Sequence, residues 1–208
     1  IASWTVFSYY RKVNLAPVLN PPPADIADMI ERGLKEGNST GMPLQLPDGF
    51  SISIFAKGLG SPRVLAYDPG GGLMASIPSQ GRVVGMPDKN GDGIADDIIT
   101  VVEGINKPHG IVMRCVNVHA YDLCRFILYI AESHQVTAYD YDDKTHEASN
   151  PRKIVDLPTG GRHTTRTLLF MSYPYEDTLL ISVGSSCDVC HEDDWRRAKI
   201  LISNLDGS

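Results

Sequence analysis

The chain has no run or stripe of lysine and arginine: 19 basic residues are scattered among 25 acidic ones, leaving a net charge of −6. A nucleic-acid partner needs concentrated positive charge against its phosphates, so that class is excluded. Long apolar runs are missing too. The N-terminal stretch IASWTVFSYY, Ile1 to Tyr10, is uncharged before Arg11 and Lys12, but a bilayer takes about 20 apolar residues. The stretch suits either the tail of a longer signal anchor, and so a membrane tether, or a packed terminal segment. Methionine is absent from the first position, where Ile1 stands, so a processed or missing start is expected. Cysteine is scarce, with 4 in all. They fall in two local pairs, Cys115 with Cys124 and Cys187 with Cys190, which can close disulfides in an oxidising compartment. Together with the glycosylation-type triplet Asn38-Ser39-Thr40, they favour an exported protein, extracellular or periplasmic.

What is present is ordinary for a soluble globular chain: 42% hydrophobic and 21% charged residues over 208 positions. That length suffices for one core or for part of a larger architecture. Residues 1–45 read as a leader or anchor remnant. LAPVLNPPP, Leu15 to Pro23, is stiff and extended because proline fixes φ and lacks a donor. ADIADMIERGLKEG follows, with Ile26, Met29, Ile30 and Leu34 at helical spacing and Gly37 as its stop.

From residue 46 the character changes to short β-rich runs separated by Gly, Pro, Asn and Asp. FSISIFA alternates as a strand, and SPRVLAYDPGGGLMAS reads as strand, turn, strand. The phrase returns in degraded form as KPHGIVMRCV with RFILYIAESHQVTAYDYD. It returns again as HTTRTLLFMSYPYEDTLLISVGSS with RRAKILISNLDGS. On this reading Arg63, His109 and His163 hold the equivalent place in each copy. A repeat of about 40–50 residues made of small antiparallel sheets is what a β-propeller requires, and a β-sandwich is the alternative. Residues just before the inner strands would then converge on one axial mouth. Three blades do not close a ring of roughly four to eight, so residues 46–208 are expected to form the N-terminal half of a propeller. The missing C-terminal half would then be a partner.

Three constellations carry candidate chemistry. In GGRHTTRTLLF a neutral His163 can accept a proton from a substrate hydroxyl. Arg63 and Arg166 can hold carboxylates or oxyanions in bidentate fashion, as an electron-accepting cofactor with several carboxylates would need. In DKNGDGIADD, the residues Asp88, Asn90 and Asp92 at alternate positions before Gly93 match the first half of a calcium-binding loop, and Asp96 can complete the shell where an EF-hand glutamate is replaced by Ile99. CDVCH, Cys187 to His191, spells a c-type haem attachment signature. The alternative for that segment is a short-loop disulfide or a free pair.

LPDGFSISIFAKGLGSPRVLAYDP, NKPHGI, GRHTTRTLLF and ISVGSSCDVC…DDWRRAKILISNLDGS resemble the pyrroloquinoline quinone (PQQ)-dependent glucose/sorbosone dehydrogenase family. The sorbosone and pyranose dehydrogenase branches are the most similar. The resemblance implies an all-β, six-bladed propeller, of which about three blades are present, with PQQ and a calcium ion in the axial funnel. It implies that His163 is the general base for a sugar hydroxyl while hydride passes to the quinone. It places Arg63 beside PQQ and Ser185 and Ser186 in a loop approaching the cofactor. From the doorway positions and residue types, His109 and Arg166 are expected as further cofactor or substrate contacts. Two positions depart from the family pattern: Arg162 stands where many members carry an acidic residue before the base, and Pro108-His109 stands near an amide position. The implied activity is PQQ-dependent oxidation of an aldose or related sugar, with an electron acceptor as second partner. The alternatives are a non-catalytic propeller used as a binding or structural surface module and, through CDVCH, a haem electron carrier.

Overall fold

A computed structural model describes residues 37–117, 124–172, 175 and 177–206. The helix expected over residues 24–37 and the N-terminal stretch lie outside the described residues, apart from Gly37. The described chain is all-β. Its eleven strands are β1 (Leu65–Tyr67), β2 (Leu73–Ile77), β3 (Arg82–Met86), β4 (Ile99–Glu103), β5 (Ile111–Asn117), β6 (Cys124–Ala131), β7 (Gln135–Asp142), β8 (Glu147–Asp156), β9 (Leu168–Phe170), β10 (Thr178–Val183) and β11 (Lys199–Asn204). They form three antiparallel sheets, ordered β1-β2-β3-β4, β5-β6-β7-β8 and β9-β10-β11. Each sheet is one blade. The innermost strands β1, β5 and β9 adjoin in turn, so the blades fan about a common side, as the repeats predict.

The packing follows from strand alternation. In β6, RFILYIA buries both faces, because successive side chains point to opposite sides. Ile127, Tyr129 and Ala131 face the third blade and join Leu168, Leu179, Ile181 and Val183. Leu128 and Ile130 face the first blade and join Met74, Val83 and Val101. A strand apolar on both faces is what a middle blade needs. Tyr129 and Phe170 add an edge-to-face pair across the second interface, their centroids 5.2 Å apart. FSISIFA does not form the expected strand: only Ile52 makes a single parallel bridge, to Asn38. Phe55 and Ala56 instead lie over the outer face of blade 1, on Ala75, Ile77, Val84 and Met86. Burial on that face has outweighed pairing.

A polar latch joins blades 1 and 2 at their turns. Asp68, at the end of β1, is buried, and Tyr141 donates its hydroxyl to Asp68 Oδ2 at 2.7 Å. His146 Nδ1 lies 2.7 Å from the same oxygen and must donate to it. Burial first, and then the Asp68 carboxylate, push the Tyr141 phenol far above its ordinary range. Close approach here depends on Gly70, whose added Cβ would stand 2.0 Å from the Asp143 carbonyl oxygen. The latch lies at the turn ends of β1 and β7, and the candidate site lies at the opposite ends of the inner strands.

Candidate active site at the mouth of the blades

Hydrogen-bond register identifies the equivalent doorway in each blade. Ser76 N–H donates to Val64 O at 3.0 Å, Ala131 N–H to Gly110 O at 2.8 Å, and Ser182 N–H to Thr167 O at 2.9 Å. The residue before each acceptor is Arg63, His109 and Arg166. This corrects the expected alignment: Arg166 holds the third equivalent place, and His163 stands three positions earlier in sequence. The loop leading into β9 folds back over the guanidinium of Arg166, a feature that spacing along the chain does not reveal.

Arg166 is a buried organiser of that loop. Its side chain is 0% exposed and donates to Pro158 O at 2.9 Å, Thr165 O at 2.9 Å and His163 O at 3.1 Å. Burial, and then the nearby Arg197 charge, lower its pKa from the ordinary arginine value. Among the described residues the Arg166 guanidinium faces these carbonyl oxygens and is not exposed to a ligand.

Arg63 is different. It is exposed, forms no ion pair with any described residue, and its charge reaches His109. His109 Nδ1 lies 3.1 Å from Arg166 O. A carbonyl only accepts, so Nδ1 carries the hydrogen and the neutral ring keeps its lone pair on Nε2. Burial lowers the His109 pKa from 6.5, opposed by the Arg166 carbonyl and assisted by the Arg63 and Arg166 charges. The unfolded chain therefore takes this proton first. The stability contributed is complete above pH 6.5 and is lost as pH falls through the depressed folded value. His109→Gln keeps a donor for Arg166 O but cannot titrate. Its unfolding midpoint, measured in denaturant on both sides of pH 6.5, is expected to fall less in acid than that of the wild type.

His163 reaches the same mouth through Arg166. The ring is held from the loop between β10 and β11. Ser185 Oγ donates to Cys187 O at 2.8 Å, which uses its only proton. Its lone pair must then accept from His163 Nδ1, 2.9 Å away. The neutral ring is thereby fixed as the Nδ1–H tautomer, with its lone pair on Nε2. The side chain is 43% exposed. Gly184 permits this approach, since a Cβ there would lie 2.9 Å from His163 Cβ and from its carbonyl oxygen. Ser185 thus serves the histidine. Ser186 serves the loop: its N–H donates to Glu192 Oε1 at 2.8 Å and its carbonyl accepts from Arg162 N–H at 2.8 Å. The Ser186 side chain first, and then its N–H and the nearby Arg197 and His163, hold the Glu192 pKa below the usual glutamate range against the opposing effect of burial.

Both expected disulfides are formed, Cys115 to Cys124 and Cys187 to Cys190. With Cys187 and Cys190 joined to each other, neither thiol is free for a haem thioether, and the haem reading of CDVCH is overturned. The acidic loop is folded on itself. Asp92 N–H donates to Asp88 Oδ1 and Asn90 Oδ1, Gly93 N–H to Asp88 Oδ2, and Lys89 N–H to Asp96 Oδ2. These oxygens close the loop on its own backbone. Among the described residues no three His, Cys, Asp or Glu side chains gather to hold a metal.

Asp188 carries no signal in the sequence that sets it apart. Its Oδ2 accepts from Arg162 Nη1 at 2.6 Å, and its Oδ1 lies 3.2 Å from His163 Nε2. Arg197 was missed as well; it is buried and donates to Thr159 O and Gly160 O beneath the His163 loop.

Three fanned antiparallel blades with arginine and histidine side chains at their inner doorways define part of a β-propeller with a polar axial mouth. A family model described as TrAA12-like matches residues 44–199, and the chain belongs to that family. No curated protein matches it. Among solved structures, the PQQ domain of pyranose dehydrogenase from Coprinopsis cinerea, in its holo form, is 26% identical. That match has a TM-score of 0.57 and covers 73% of this chain and 35% of that one. A calcium structure of the Trichoderma reesei carbohydrate-active enzyme family AA12 is 22% identical, with a TM-score of 0.59 and coverage of 81% and 42%. The PQQ-bound aldose sugar dehydrogenase from Streptomyces coelicolor is 21% identical, with a TM-score of 0.52 and coverage of 75% and 48%. The last two likenesses bear on fold. The chain spans less than half the length of each of these structures. Among the described residues no helix is long and apolar enough to cross a membrane.

Proposed function

We propose that the full-length protein oxidises an aldose or related sugar with PQQ as acceptor and His163 as general base. The observation that carries this reading is the hydrogen-bond chain His163–Ser185–Cys187, which leaves Nε2 as the proton-accepting atom at an exposed edge. A ring so fixed takes a hydroxyl proton at Nε2 without first changing tautomer, and preorganisation of this kind lowers the barrier. The residues present fit PQQ: Arg63, exposed and without an ion pair among the described residues, suits one of its carboxylates. His109 adds an acceptor at Nε2 on the neighbouring doorway. PQQ, when bound, supplies the acceptor for the hydride leaving the sugar carbon. Arg166 and Arg197 contribute by shaping the loop that presents His163. Calcium belongs to this reading as a second cofactor, and none of the described side chains is assigned to it. An electron acceptor would complete the cycle. The two disulfides support secretion into an oxidising compartment.

The test is a PQQ titration of the full-length protein followed by fluorescence, with Arg63→Ala in parallel. Saturable binding that Arg63→Ala weakens about 10–100-fold, the range of a charge-assisted contact, supports the reading. Absence of binding by the wild type overturns it and leaves a non-catalytic propeller.

A further inference from the structure

The ring of Trp195 serves nothing inside the fold. It is 72% exposed, and its indole N–H donates to no described residue. A single exposed apolar side chain is ordinary on a protein surface, but the setting of this one is not. Asp194, Trp195, Arg196 and Arg197 form one turn. Arg197 N–H closes it on Asp194 O at 3.0 Å, and Arg196 N–H caps it on Asp194 Oδ1 at 3.0 Å. The chain leaves through Ala198 in the left-handed region, at φ 52°. Arg196 also grips the same carboxylate from its side chain, Nε to Oδ1 at 3.0 Å and Nη2 to Oδ2 at 2.7 Å. A fork of this kind fixes both groups in one orientation. The Arg196 side chain first, and then its N–H, hold the Asp194 pKa down to about 2 against the opposing effect of burial, so this group stays an anion.

Both ends of the segment are tied to the mouth. Glu192 Oε1 takes Ser186 N–H at 2.8 Å, and Arg197 donates to Thr159 O and Gly160 O on the loop before His163. Between them, Arg196 Nη1 reaches Asp156 O at the end of β8. The indole thus stands on a fixed turn that links blades 2 and 3 on the side of the mouth. Asp193 beside it is exposed and has no partner among the described residues. Residues 193–196 together line one open concavity.

The chemistry of these groups selects a ligand. Residues 188–197 carry four carboxylates against two guanidinium groups. Arg196 is paired and Arg197 is buried, so no cation remains for a phosphate or an anionic membrane. A protein partner needs about 800 Å² on each side, and one aromatic ring supplies about 150–250 Å². A neutral sugar unit matches what is there. Its C–H face covers an indole, while its hydroxyls donate to carboxylates and accept from guanidinium and indole N–H groups.

We propose that Trp195, Asp193 and the Asp194–Arg196 pair form a saccharide-binding subsite on the rim of the mouth, holding one neutral sugar unit of a longer chain whose end enters the mouth. The stacking stands apart from the sugar-oxidising reading; delivery of the chain end rests on it.

The test is calorimetric titration of the full-length, cofactor-free protein with cellotetraose, maltotetraose and glucose, using wild type, Trp195→Ala, Trp195→Phe and Asp193→Asn. The wild type is expected to bind at least one tetrasaccharide saturably and more tightly than glucose. Trp195→Ala is expected to weaken that binding about tenfold or more, the scale of a buried tryptophan anchor, and to remove the margin over glucose. Trp195→Phe keeps a stacking face and is expected to retain most of the affinity, and Asp193→Asn to fall between the two. Thermal unfolding of each variant accompanies the titration, and an unchanged midpoint is expected because the ring is exposed. Failure of the wild type to bind either tetrasaccharide, or equal binding by wild type and Trp195→Ala, overturns the proposal. With PQQ added, Trp195→Ala is expected to raise KM for the bound tetrasaccharide about tenfold with kcat within about twofold; an unchanged KM overturns delivery to the mouth. Trp195-dependent binding in a protein that oxidises no sugar overturns the oxidation reading instead and leaves the subsite standing.

Discussion

His163→Ala is expected to lower aldose-dependent dye reduction by the PQQ-loaded, full-length protein about 10²–10⁴-fold, the contribution of a positioned general base. The size follows from geometry. Ser185 has spent its proton on Cys187 O, so the neutral ring must carry hydrogen on Nδ1 and offer Nε2. Alanine removes that acceptor. His109 is occupied at Nδ1 by Arg166 O and belongs to another doorway. Folding should be little affected, because the His163 side chain is 43% exposed and its backbone contact with Arg166 uses the carbonyl oxygen. The measurement is steady-state turnover alongside a thermal unfolding curve. A sharp loss of turnover at an unchanged midpoint is the expected pair of results.

The second large effect is on stability. Arg166→Met is expected to destabilise the protein by about 3 kcal/mol, the scale for breaking a buried network that ends on a charged donor. Methionine fills much of the volume but leaves the Pro158, Thr165 and His163 carbonyl oxygens without the donor they now share. The segment from Pro158 to Thr165 keeps the Arg197 bonds to Thr159 O and Gly160 O but loses its support at Pro158, His163 and Thr165, and it carries His163. Turnover should therefore fall together with the denaturation midpoint. Weakened PQQ binding at an unchanged midpoint would restore the anchoring role that the burial of Arg166 argues against.

The fold was largely legible because its signals are local. Alternating apolar residues and glycine-rich turns mark each hairpin, and the repetition of that phrase marks the blades. The doubly apolar run of β6 announces a strand buried on both sides. FSISIFA shows the limit: alternation alone does not distinguish a paired strand from a segment laid over a blade face. The site was legible in its residue types and less so in its pairing. His163, Arg63 and Ser185 could be named from the doorway pattern and the family resemblance. The register error at Arg166 arose because a loop lengthened by three residues moves the ladder without changing its composition. Asp188 was hidden inside a cysteine motif, since its meeting with residues about 25 positions upstream depends on how the loop folds. In the acidic loop, the spacing that lets oxygens converge on calcium also lets them cap their own backbone amides.

The proposed oxidation needs a histidine with one nitrogen tethered and the other turned to a sugar hydroxyl beside bound PQQ. The most direct measurement is reduction of an artificial electron acceptor by the wild-type, full-length protein in the presence of aldoses, with and without PQQ. Turnover that requires both sugar and PQQ is the predicted result. A protein that binds PQQ yet turns over no sugar would contradict it.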